Sequence, residues 1–253
     1  MTMKKGKAFF VLSVLFLLVI CQEKTLAQSF RIPEDTRQLI VGLSNDWNDS
    51  TVQVQRWEKS GSVWKKVGEA WPGRLGTSGL AWGRGLHPAG LSGVQKKEGD
   101  KRAPAGVFSL GDVYSYDAAV HSRPGMKVYL VTEKDLWVED EASDFYNQHV
   151  VLPGRGPETE WEKKQQMRLN DPAHRLKWFI KHNAESDIVK GAGSSIFFHI
   201  WRDGGARSSY GCTVMAEENL REMITWVEPK QKPLYVLLPK AVYEDKRAHW
   251  ALP

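Results

Sequence analysis

The chain has 253 residues, 42% hydrophobic and 26% charged, a size and balance that suit one large folded domain or two small ones. Its net charge is +5, but residues 1–27 hold Lys4, Lys5, Lys7 and Lys24 against Glu23, and the remainder carries 31 basic and 29 acidic side chains. That near balance makes no case for nucleic-acid binding, which needs a concentrated basic face.

In chain order, three early lysines precede an uncharged apolar run at 8–21, and a short polar stretch ends in Thr25-Leu26-Ala27. Basic start, apolar middle and small-x-Ala site read as a secretory signal cleaved after Ala27. The apolar run is about 14 residues, short of the roughly 20 that span a bilayer. No later segment approaches that length, so the mature product is expected outside the cytoplasm with no membrane anchor. Residues 28–37 are polar and read as a loose N-terminal arm. Short β-like segments follow at 38–43, 51–57 and 63–67, with a turn at 45–49; the second alternates, setting Val52, Val54 and Arg56 on one side. Residues 72–106 are rich in Gly, Pro and charge, and loops of this length in compact domains are usually functional.

Further strands are predicted at 107–110 and 127–132, and a polar helix at 157–169. Residues 175–182 alternate, with Leu176, Trp178, Ile180 and His182 on one face. The continuous apolar run 195–201 reads as a central strand. Residues 217–227 form the clearest helix: Leu220, Met223, Ile224 and Val227 share a face, and Glu217 and Glu218 suit the positive end of the helix dipole. Pro229 and Pro233 stop it, and 234–238 returns as a strand. There are no repeats and no second domain. The expectation is a mainly β fold, a sandwich of mixed sheets with a few flanking helices, over 38–240, with 241–253 as a C-terminal tail.

Of the two cysteines, Cys21 leaves with the signal, so the mature chain keeps Cys212 alone and can form no internal disulfide. A single cysteine in an exported protein is an intermolecular bridge, a buried residue or a reactive thiol. Its surroundings favour the last. A predicted strand delivers His199, Gly204-Gly205 turns the chain, and Gly211-Cys212 follows shortly before the predicted helix. A helix N-terminus and a nearby imidazolium both lower a thiol pKa, and the histidine can pass the proton to a leaving amine. Gly211 allows the close backbone approach from which amide N–H groups hold an oxyanion. The competing reading, a buried cysteine and a hydrogen-bonded core histidine, stays open on these residues alone.

This segment, His199, a loop, then Ser209-Tyr210-Gly211-Cys212, resembles the signature of the L,D-transpeptidase catalytic domain, also called YkuD-like. Pro104-Ala105-Gly106-Val107-Phe108 stands where that family carries a Pro-Thr/Ala-Gly-x-Phe stretch. The phrases AWGRGLHP (81–88), KKEGDKRAPAGVF (96–108) and GSSIFFHIWR (193–202) look like one secreted branch of it. The resemblance covers roughly 38–240. It implies acyl transfer on peptidoglycan stem peptides in the periplasm or cell envelope, with Cys212 as nucleophile, His199 as general base and acid, and the backbone at Gly211 and Cys212 as oxyanion hole. The thioester passes to a neighbouring stem's amine or to water, so transpeptidase and L,D-carboxypeptidase share one machine. Ser209 and Tyr210 position the turn.

Three departures stand out: Tyr210 replaces a histidine, Val214 replaces an arginine or asparagine, and the loop between His199 and Cys212 is short. Arg202 and Arg207 in that loop can supply the missing positive charge for a stem carboxylate. His182 is expected to border the cleft, and Trp82 and Arg84 to line a groove for sugar or peptide. The seven histidines include no His-Glu-x-x-His pairing, and there is no phosphate loop or dinucleotide fingerprint, so no metal or cofactor is expected. A monomer is expected. Two rivals remain: a sortase-like cysteine peptidase, which needs an arginine on a later strand that 234–238 lacks, and a non-catalytic wall-binding module.

Overall fold

A computed structural model describes residues 30–253; the segment read as a cleaved signal, 1–27, lies outside them. Twelve strands run β1 (Gln38–Ser44), β2 (Thr51–Ser60), β3 (Val63–Arg74), β4 (Leu80–Trp82), β5 (Ala103–Ser115), β6 (Val128–Leu130), β7 (Asp135–Trp137), β8 (His149–Val151), β9 (Leu176–Ile180), β10 (Phe197–Ile200), β11 (Thr213–Met215) and β12 (Leu234–Pro239). The helices are α1 (Glu160–Gln165), α2 (Glu217–Trp226) and α3 (Lys240–Trp250). The mainly β expectation is met, and both layers belong to one sheet. Its order is β12-β1-β2-β3-β11-β10-β9-β5-β4, with β6 beside β5, and a further β12–β5 pairing closes the ring. β7 and β8 form a separate hairpin.

The closure explains the apolar runs. β1 pairs in parallel with β12, Leu39 facing Leu234, and antiparallel with β2, Leu39 facing Trp57. Every residue of β12 is buried, as a strand covered on both faces requires. β2 carries the alternation, with Val52, Val54 and Arg56 buried and Gln53 exposed. Arg56 is buried because it pairs with Glu222 of α2 and lies over Trp71 and Trp226, 5.1 and 5.4 Å from their ring centres.

Several expectations change. The stretch 72–106 is no free loop: it holds the end of β3, the whole of β4 and the start of β5, with Leu80 facing Ala103 in a parallel pair. The N-terminal arm is tied down at its end, Ile32 N–H donating to Trp250 O at 2.9 Å while Phe30 meets the Trp250 ring edge to face. The segment set apart as a C-terminal tail is helix α3, which buries Tyr243 and Trp250. α1 is shorter than predicted and begins with a capping box between Thr159 and Glu162. In the Pro104-Ala105-Gly106 stretch, Gly106 sits at φ +140°, and a Cβ there would fall 1.9 Å from the His87 ring; only glycine fits.

Candidate active site

β10 and β11 lie side by side and parallel, Phe198 facing Thr213 and His199 facing Val214. Alternation sends Phe198 and Thr213 inward, where Thr213 and Tyr235 share a hydroxyl hydrogen bond at 3.0 Å. It sends Phe197 and His199 outward. Cys212, just before β11, joins Phe197 on that outer face, beside a second small core of Tyr114, Trp137, Met167 and Phe179. His199 and Cys212 therefore share one face of adjacent strands. Both line a cleft of about 830 Å³.

The turn before the cysteine is built by Ser209. Its backbone is pinned to the strand leaving β3, N–H to Leu75 O at 2.8 Å and O from Thr77 N–H at 2.9 Å. Its hydroxyl donates to Cys212 O at 2.6 Å and accepts from Gly211 N–H at 3.1 Å. Gly211 has φ +150°, with Ile196 Cδ1 3.1 Å and Arg102 O 3.2 Å from where a Cβ would stand. At rest, then, the Ser209 hydroxyl occupies the Gly211 N–H that was expected to hold an oxyanion.

The thiol rests as a hydrogen-bonded neutral group. Phe197 N–H donates to Sγ at 3.4 Å, and Sγ donates to Ser195 O at 3.5 Å. Burial pushes its pKa up to about 11, against the pull of that amide and of Lys177. β11 stands between Cys212 and α2, so the thiol is not in the helix's first turn. His199 is buried, and burial lowers its pKa to about 4. Its Nδ1–H donates to Ile200 O at 2.8 Å, which leaves Nε2 as the ring's acceptor. The pair is thus a neutral imidazole and a neutral thiol, suited to general-base activation at the moment of attack rather than to a standing ion pair.

The other predicted residues separate. Tyr210 is 78% exposed at the cleft mouth, with the Lys101 ammonium 5.6 Å from its ring centre. Arg207 also lines the cleft, and its nearest acid, Asp203, is 3.6 Å away. Arg202 lines the cleft but is committed elsewhere: Nε donates to Asp171 at 3.1 Å, and an Nη donates to Asp171 and to His174 Nε2, the latter at 3.1 Å. His182 does not border the cleft. It is wholly buried, accepting from Arg84 N–H at 3.1 Å and donating to Ala192 O at 2.9 Å, a core histidine. Trp82 is core too, its indole N–H donating to Ser92 O at 2.9 Å. Arg84 lines a separate hollow of about 520 Å³ with Arg31 and His87. Neither lines the cleft around Cys212.

Three residues at or beneath the cleft escape a sequence reading: Glu139 and His174 line it, and Lys177 is buried beside His199. Lys177 faces His199 across the β9–β10 pair; burial lowers its pKa to about 8, and Nζ donates to Met167 O at 3.0 Å. Glu139, just past β7, lines the cleft; burial raises its pKa, opposed by a Ser195 hydrogen bond and assisted by Glu98. His174 stacks on His199 with ring centres 4.6 Å apart and 24° between planes. A lysine in the middle of an apolar strand was the one signal available for Lys177. Nothing local marked the other two.

The chain matches the model of the L,D-transpeptidase catalytic domain, YkuD, over residues 51–236. Among solved structures it is similar to Bd1075 of Bdellovibrio bacteriovorus, at 13% identity and TM-score 0.39, over 87% of this chain and 56% of that one. It is also similar to Pgp2, the helical cell shape determining protein of Campylobacter jejuni, at 13% identity and TM-score 0.38, over 88% and 55%. The chain therefore spans little more than half the length of those two proteins. No curated protein matches it.

Proposed function

The chain belongs to the L,D-transpeptidase catalytic-domain family, and on that premise we propose that it is a cysteine acyltransferase of peptidoglycan stem peptides with Cys212 as nucleophile and His199 as base. The observation that carries this is the placement of the chain's one thiol outside residues 1–27 and a tautomer-fixed imidazole on one face of neighbouring strands, in a single cleft. His199 Nε2 takes the thiol proton as Sγ bonds to the stem carbonyl at the L-centre of the third residue. The imidazolium returns that proton to the nitrogen of the departing D-alanine as the C–N bond breaks. An amine of a second stem then attacks the thioester and makes a cross-link, or water attacks and leaves a trimmed stem; in either case His199 accepts the incoming proton and Sγ regains one. The substrate lies outside the cytoplasm, so 1–27 serves as the export signal. The enzyme acts as a monomer, without a cofactor.

With Arg202 tied to Asp171, Arg207 is the cleft arginine left to meet a stem carboxylate, and Tyr210 and Lys101 form the mouth beside it. The test is mass analysis of muropeptides digested by the purified protein. Wild type should release D-alanine, and Cys212→Ala should fold and release none. A carbapenem, which acylates this family's thiol, should add its mass to wild type alone. Full activity in Cys212→Ala would end this reading, and dimeric products against trimmed stems separate transfer from hydrolysis.

A further inference from the structure

His199 is met on one face by a second ring. His174 closes the short 3-10 turn Pro172–His174, whose start is capped by Asp171 Oδ1 accepting from Ala173 N–H at 2.9 Å. From there the two imidazoles stack at 4.6 Å. Arg202 donates to His174 Nε2 at 3.1 Å, and the same guanidinium is anchored to Asp171 Oδ2. A guanidinium has no acceptor atoms, so the His174 Nε2 lone pair is the acceptor and its proton sits on Nδ1. Asp171 balances the arginine charge, and the turn, the arginine and the ring form one clamp.

The clamp has a consequence for the base. His199 already spends Nδ1–H on Ile200 O, which fixes the tautomer but leaves the ring free to tilt about that bond. A flat ring against its face removes that freedom. Because Arg202 occupies the Nε2 of His174, the second imidazole has no lone pair with which to compete for the thiol proton. The charged and titratable groups around His199 are Lys177 from β9, His174 and Asp171 from the turn, and Arg202 beyond β10, with Cys212 sharing the cleft. Three of these are cationic or neutral bases, so a loosely held second histidine would be a rival acceptor.

We propose that His174, clamped by Arg202 and Asp171, is a positioning residue that holds the His199 ring edge-on to the thiol and leaves His199 Nε2 the sole proton acceptor. The proposal rests on the reading of His199 as the base. Burial, which takes His174 down to about 3, agrees with a neutral ring in the stack.

The test uses the full chain and stem tetrapeptide. His174→Ala should lower kcat about tenfold to a hundredfold with KM near wild type, the scale of loss expected when a catalytic group is displaced by about 1 Å. His174→Phe keeps a flat ring and should restore most of that loss. In spectra of ¹⁵N,¹³C-histidine-labelled protein, His199 should keep the Nδ1–H tautomer in wild type and in His174→Ala, while its ring order parameters fall and its ring shifts move in the variant. Arg202→Gln, at a side chain about one-third exposed, should lower kcat in the same way and serves if His174→Ala does not fold. Wild-type kcat and an unchanged His199 signature in the folded variants would overturn the proposal. If His199→Gln itself keeps full activity, the base lies elsewhere and the proposed catalytic pair fails with it; an inactive His199→Gln beside a fully active His174→Ala overturns the clamp alone.

Discussion

Lys177 stands one strand away from His199, sealed under the Phe197 ring with its ammonium 5.6 Å from the ring centre. It is a cation within the field of Cys212, and Glu139 is an anion in the same field. Their effects on the thiol are opposite, which gives a paired prediction. Lys177→Met removes the charge that favours thiolate, so iodoacetamide should alkylate Cys212 about three- to tenfold more slowly at pH 7, where Lys177 is still mostly charged, a pKa change of up to one unit. Glu139→Gln should speed it. Equal rates in both variants would mean that neither charge reaches the sulfur. Arg207 presents a different case, exposed and paired only with the exposed Asp203 at 3.6 Å. If it reads the stem carboxylate through a charge-assisted hydrogen bond of roughly 1.5–3 kcal/mol, Arg207→Ala should weaken tetrapeptide use about tenfold to a hundredfold and leave alkylation of Cys212 unchanged.

Among the elements, α3 shows what a sequence reading passes over. Its eleven residues KAVYEDKRAHW bury only Tyr243 and Trp250, so no apolar stripe announces it. Yet Trp250 packs on Phe30 at 5.1 Å and on His87 at 6.0 Å, and belongs to the main core. Trp250→Ala should cost about 3–5 kcal/mol and lower the melting midpoint by roughly 10 °C; a change below 2 °C, by the same scale, would show that α3 is a loose appendage. The strands were legible where alternation or an apolar run marks a buried face: β2, β10, β12 and helix α2 fall close to where the pattern puts them. His199 and Cys212 were legible as a pair because strand, turn and Gly-Cys are local. His174, Lys177 and Glu139 were not, because their meeting depends on cross-strand register and on the turn before β9, which no sequence period encodes. Trp82, Arg84 and His182 were misplaced for the same reason. A Gly-rich stretch suggested a binding loop, but β4 draws its middle into the sheet and turns Trp82 and His182 to hydrogen-bonded core positions.

Across the whole molecule, four histidines are held neutral by loss of hydration: the buried His87 and His199 at about 4 and His182 at about 3, and the half-buried His174 at about 3. In the unfolded chain each would titrate near 6.5. The unfolded state therefore binds more protons below that value, and stability rises with pH in this range. The contribution is complete above pH 6.5 and drains away as pH falls toward 4 and then 3. Melting temperature should be flat from pH 7 to 8 and drop steadily from 6.5 to 4. A midpoint unchanged at pH 4 would show that these rings are not kept neutral.

The ring of strands also sets an order in time. β12 pairs with β1, Leu39 against Leu234, and with β5, Leu234 against Ser109, so the sheet cannot close until the last strand is available to fold. Before then β1 and β5 each present an open edge, the kind of surface on which chains pair wrongly. Contacts this distant along the chain make folding slow, in the range of milliseconds to seconds for small domains of such topology. β10 and β11, whose pairing is local, can form earlier, but the core behind them waits for β12. The cleft is therefore a late product of folding: a chain arrested before residue 234 should carry every residue of the site and have no enzyme activity.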